Sequence, residues 1–95
     1  MAVLNVAFTQ IRDPAKMAAY IEAARPLLQE FGAEVVVRGR YCETLLGEDR
    51  EPHILGIFRF ADMETARRFY SCDRYLELIP VREAAGKMAF HFYEE

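Results

Sequence analysis

Apolar positions along the chain switch between a two-residue and a helical period, and the switches mark out six elements. Residues 2–11 alternate, with Leu4, Val6 and Phe8 on one side and Val3, Asn5, Ala7 and Thr9 on the other, as in a strand. Asp13-Pro14 then reads as a helix start, a capping carboxylate followed by a proline whose missing N–H costs nothing there. Met17, Tyr20, Ile21, Ala24, Leu28 and Phe31 follow at helical spacing, and Gly32 is placed to end the helix. Pro26 removes one hydrogen bond inside it and predicts a kink over residues 22–25.

A second strand is expected over residues 34–38, with Gly39-Arg40 as a bulge and pairing resumed over residues 41–46. Residues 47–52 form a charged turn. In the third strand, residues 54–60, Ile54, Phe58 and Phe60 oppose Leu55, Ile57 and Arg59. Asp62 caps a second helix that runs to about residue 70, breaks at Ser71-Cys72-Asp73 and ends near Gly86. Residues 88–93 make the last strand, Met88, Phe90 and Phe92 alternating with Ala89, His91 and Tyr93.

The order is βαββαβ, which predicts one α+β domain over residues 1–95, ferredoxin-like, with two helices on one face of an antiparallel sheet. The other face is expected to carry Val3, Ala7, Leu55 and Ile57 mixed with Asn5, Thr9, Arg59, His91 and Tyr93. An apolar patch of that kind is not stable in water, so a homodimer through the sheet face is expected, with a wet cavity where burial is incomplete. Composition agrees: 53% of the residues are hydrophobic, more than so short a chain can hide in its own interior.

The net charge of −3 offers nucleic acid or an anionic membrane no attraction. No apolar run approaches the roughly 20 residues that span a bilayer, and the first residues do not read as a signal peptide. Cys42 and Cys72 are too few and too distant for a disulfide framework, which predicts a reduced, cytoplasmic protein. Cys42, Cys72, His53 and His91 have no metal-ligand spacing, and no glycine-rich phosphate loop is present; neither metal nor cofactor is expected.

Asp13-Pro14 with Tyr20, Phe31-Gly32-Ala33, Arg38-Gly39, Leu45-Leu46-Gly47, Phe60, and Tyr70, Tyr75 and Arg82 occur in an order that resembles one family. It is the domain-of-unknown-function family thirteen-thirty, within the dimeric α/β-barrel superfamily, and the resemblance runs over about residues 2–94. It implies a homodimer of ferredoxin-like protomers whose sheets form a barrel, and implies no established activity. The chain departs from the family pattern in three ways. Arg40 stands for a glycine, Leu46 and Arg59 stand for acids, and Cys72-Asp73 stands for Ser-Pro. The loss of acids and gain of arginines predicts a cavity that favours an anion.

The candidate chemistry clusters in residues 66–86, where phenols and guanidiniums are dense. Tyr75 and Arg82 lie seven apart, two turns along one helical face if Pro80 leaves that face intact. With Tyr70 before the break and Arg38 from the sheet, they would make an anion fork beside phenol donors. Each arginine can equally pair with a surface acid, and each tyrosine can sit at the core edge with a wet hydroxyl. His91 could act as a base, as imidazoles commonly do, but no acid at readable spacing would orient it. The expected ligand-binding set is therefore Arg38, Tyr70, Tyr75, Arg82 and His91. Two functions follow: a cofactor-independent binding protein for a small, anionic, partly aromatic metabolite, or a small monooxygenase-, isomerase- or dehydratase-like enzyme of the same architecture.

Overall fold

Eight elements follow in order in a computed structural model that describes all residues, Met1–Glu95. They are β1 (Val3–Ile11), α1 (Pro14–Glu30), β2 (Glu34–Arg40), β3 (Ile54–Phe60), α2 (Met63–Ser71), α3 (Asp73–Leu76), α4 (Ile79–Ala85) and β4 (Gly86–Glu94). The sheet order is β2-β3-β1-β4, every neighbouring pair antiparallel. This is the ferredoxin-like α+β arrangement that the periodicity predicts, with the second helical region divided into three short helices at Cys72 and Leu78.

The caps fall where the sequence puts them. The Asp13 carboxylate accepts from the Lys16 N–H at 3.1 Å, and the Asp62 carboxylate from the Thr65 N–H at 2.7 Å. That second bond holds the Asp62 carboxyl below its usual range. At the other end of α1, Gly32 takes φ 69°, and Gly32 N–H and Ala33 N–H donate to the Gln29 and Leu28 carbonyls at 3.0 and 2.9 Å. Two orphan carbonyls of the last turn are satisfied in this way.

Three expectations fail. The first concerns β1. Val3, Asn5, Ala7 and Thr9 are its buried residues, and they share the helix-covered face with Phe60, Phe58, Gly56 and Ile54 of β3 and with Phe92, Phe90 and Met88 of β4. Leu4, Val6 and Phe8 instead join Leu55, Ile57, Arg59, Ala89, His91 and Tyr93 on the open face. The smaller side chains of β1 face the helices, and two of them, Ala7 and Thr9, border the cavity described below. The second concerns the bulge, which lies between Val35 and Val37 and not at Gly39-Arg40. The third concerns residues 41–46, which form no strand. After the Tyr41 N–H bond to the His53 carbonyl (2.9 Å) the pairing ends, and Leu45 and Leu46 stand fully exposed.

Leu27, Phe60, Ala66, Phe69 and Tyr75 make the closed core, at the end of the sheet where α2 and α3 pack. Leu27, and not its neighbour Leu28, is the buried leucine of α1. Helix α1 packs chiefly on α4 and stands off the sheet. Its first turn is pinned there, since Arg12 N–H and Asp13 N–H both donate to the Ala85 carbonyl, at 2.8 and 3.0 Å.

The strand that follows begins at Gly86, where the backbone runs against β1. A β-carbon at Gly86 would lie 2.2 Å from the Gln10 carbonyl oxygen. Gly86→Ala must therefore part β1 from β4. A cost of about 1–3 kcal/mol, as for overpacking, is expected in denaturant melts, with the m-value unchanged.

Candidate functional site

Because α1 stands off the sheet, the space beneath it is open. A cavity of about 780 Å³ lies between α1 and the helix-covered face of all four strands. Its floor is built from small residues at the sheet centre: Ala7 of β1 pairs across to Gly56 of β3, and Thr9 lies beside them. Met17, Tyr20, Ile21, Ala24 and Leu28 of α1 form the roof. Phe58, Phe69, Tyr70, Met88 and Phe90 close the sides. Of the 22 lining residues, 15 are hydrophobic, so whatever fills the cavity must be largely apolar.

The polar residues of the lining are unequal in charge. Arg25, Arg38 and Arg40 contribute three guanidiniums, and no aspartate or glutamate lines the cavity. Arg25 pairs with Glu22 at 2.8 Å. Arg38 and Arg40 are exposed and belong to none of the chain's five ion pairs. The mouth is thus cationic and the interior apolar.

A chain of hydroxyls runs from the cavity into the helices. The Tyr20 and Tyr75 hydroxyls are 2.8 Å apart, and Arg82 Nη1 donates to the Tyr75 oxygen at 3.0 Å. On the other side, Asn5 Nδ2 donates to the Tyr70 oxygen. Asn5 is wholly buried, and its Oδ1 has no partner. The rings of Tyr20 and Tyr70 both pack edge-on against Tyr75, which is 1% exposed. Burial, then the neighbouring Tyr75, raises the titration of Tyr20 and of Tyr70 far above the ordinary phenol range, so both stay protonated.

Of the residues expected from sequence, Arg38 and Tyr70 line the cavity. Tyr75 and Arg82 meet as the seven-residue spacing suggests, but behind the cavity wall, in contact with its lining residues Tyr20, Tyr70 and Phe90. Arg82 also pairs with Glu83 at 2.7 Å. His91 lies on the open face, edge-on to Phe8 and on the opposite side of the sheet from the cavity. Arg59 is on that open face too, held by Glu34 at 3.0 Å and Glu95 at 2.6 Å, so it adds no free cation. Cys72 ends α2 and starts α3, but its Sγ donates to the Phe69 carbonyl at 3.2 Å and gives α3 no side-chain cap. No three His, Cys, Asp or Glu side chains gather as a metal site.

Sequence reasoning missed two members of the network, Tyr20 and Asn5. Tyr20 was legible as one position of an apolar stripe and of the family pattern, but not as a member of a site. Asn5 carried a signal, a carboxamide within the apolar run of residues 3–8, where burial demands a partner.

One family model matches residues 2–95, almost the whole chain. The chain belongs to that family, the domain of unknown function DUF1330. Solved structures share the fold at low identity. RPA0582, a protein of unknown function from Rhodopseudomonas palustris, superposes with a TM-score of 0.84 at 17% identity, covering 99% of this chain and 82% of that one. SnoaB, a cofactor-independent oxygenase from Streptomyces nogalater, gives 0.73 at 13% identity, covering 99% and 92%. A dimeric protein of unknown function and ferredoxin-like fold from Bacteroides fragilis gives 0.63 at 14%, covering 99% and 96%. No curated protein sequence matches this DUF1330 chain. No helix is long and apolar enough to cross a membrane.

Proposed function

We propose that the protein is a homodimer that binds a small, anionic, partly aromatic metabolite in the cavity between α1 and the sheet. The observation that carries this reading is the charge of the lining: three guanidiniums, no carboxylate, and an apolar, aromatic-walled interior behind them. Guanidiniums grip planar anions such as carboxylates, and the aromatic walls suit a flat, apolar body. The dimer is supported by the open sheet face, where Leu4, Val6, Phe8, Leu55 and Ile57 are left without cover by the chain's own helices. It is supported also by the likeness to a dimeric protein of the same fold. The two free cysteines suit a reducing compartment such as the cytoplasm.

The test is a thermal-shift screen of aromatic carboxylates against their neutral amides. The acids are expected to stabilise the protein and the amides to do so far less. In the Arg38→Gln, Arg40→Gln double variant the acids should bind about tenfold more weakly, a change on the order of 1.4 kcal/mol. Equal binding of acids and amides, or an unaffected double variant, would refute an anion site at the mouth.

A second reading, a cofactor-independent enzyme, is favoured by two protonated phenols, Tyr20 and Tyr70, in the lining of a largely apolar cavity. The oxygenase likeness adds only that this fold admits such chemistry.

A further inference from the structure

Residues 41–53, which join β2 to β3, are tied into one shape. The Tyr41 ring stacks on His53 with centres 4.9 Å apart, and its hydroxyl lies 2.6 Å from Thr44 Oγ1. The Arg50 N–H donates to the same Tyr41 oxygen at 3.2 Å, and Thr44 Oγ1 donates to the Glu48 carbonyl at 3.2 Å. The loop is rooted on the open sheet face, because the His53 ring and the Arg50 guanidinium both pack on Phe8, at 5.9 and 4.7 Å. Yet it holds Leu45 and Leu46 101% and 94% exposed, so the chain itself gives them no cover.

We propose that Leu45 and Leu46 form an arm that closes on a second copy of this chain. The proposal rests on the homodimer proposed above and adds a contact outside the paired sheets. The first argument is area. Four strands about 4.8 Å apart and about seven residues long cover a plane of roughly 450 Å². A stable interface takes about 800 Å² from each partner. Leu4, Val6, Phe8, Leu55 and Ile57 are already half-buried by their neighbours, so only part of their surface is left to lose. The two loop leucines have all of theirs. The second argument is continuity, since the arm springs from Phe8 on the face that the dimer would cover. The third is charge. Glu43, Glu48, Asp49 and Glu51 surround the leucines against Arg50 alone, which repels an anionic membrane. The same acids keep two arms from meeting at the two-fold axis, so each arm lies on the partner's sheet. A loop held in one shape beforehand also loses little freedom when it docks.

The Leu45→Ser, Leu46→Ser double variant removes the arm without touching the chain's own core. Each substitution counts twice in a two-fold dimer. The dissociation constant should therefore rise at least about a hundredfold, read by sedimentation velocity across a dilution series. Circular dichroism at high concentration should match the parent's. The chain has no tryptophan, so Leu46→Trp places a single reporter at the tip. Its emission should be that of a buried indole in the dimer and should move to the red on dilution. If the double variant does not fold at any concentration, this emission decides alone. An unchanged dissociation constant in the double variant overturns the arm and leaves the sheet-face dimer standing. A water-exposed emission from the dimeric Leu46→Trp variant does the same. An indole that moves to the blue with anionic vesicles, and not with protein concentration, would assign the arm to a membrane and also overturn it. A parent that stays a folded monomer at micromolar concentration overturns both arm and dimer.

Discussion

Ile57→Asp is expected to leave little folded protein, and what folds should be monomeric. Ile57 sits in the middle of the open sheet face, registered against Val6 on one side and Val37 on the other. Leu4, Phe8 and Leu55 surround that position on the same face. In a two-fold pairing of sheets the substitution places two aspartates in one apolar interface, and each unpaired buried charge costs several kcal/mol. The chain has little to set against this, because only 13 of its 95 residues are buried without a partner, against a typical total stability of about 5–15 kcal/mol. Sedimentation velocity and circular dichroism of the parent and the variant decide the matter. The parent's melting temperature should also rise with protein concentration, the result that a coupled equilibrium of folding and association would give. A parent that stays a folded monomer at micromolar concentration would exclude the dimer.

The other large effect is expected at Tyr75. Its ring touches Phe69, Tyr70 and Tyr20, and the Arg82 guanidinium lies 5.7 Å from its centre. Tyr75→Ala removes that packing and strands both hydrogen-bond partners, and should cost about 3–5 kcal/mol, as for other buried aromatic truncations. Tyr75→Phe keeps the ring and removes only the hydroxyl, and should cost about 1–2 kcal/mol. Urea melts of the two variants separate packing from hydrogen bonding. Near-equal losses would mean that the hydroxyl network, and not the ring, holds α3 in place.

The elements were legible in the sequence because each starts or stops at a residue with its own chemistry. Asp13, Asp62 and Gly32 are the clearest cases, and their caps form as read. The face of β1 was not legible, for a physical reason. Both faces of that strand are apolar, and the usual guide, larger side chains towards the helices, is inverted by the cavity. Size alone does not say which side of a sheet is left empty. The site was legible in part. Spacing brought Tyr75 to Arg82, but it carried no information on depth, so the sequence could not reveal that Arg82 works from behind Tyr75. His91 was read as a neighbour of the cavity only because the β1 faces had been exchanged and the polar residues of two different surfaces merged into one.

The small residues on the cavity floor act as a gauge. Ala7 and Gly56 sit side by side where larger residues would fill the space above them, and a β-carbon on Gly56 would already crowd the Phe58 ring at 3.2 Å. A ligand in this cavity would have its girth limited there, by groups that carry no charge. On the binding reading proposed above, selection by charge would fall elsewhere, to Arg38 and Arg40 on β2. Two properties of one guest would then be judged by separate strands, and a lineage could widen the gauge by a methyl group, or exchange an arginine at the door, without disturbing the other choice.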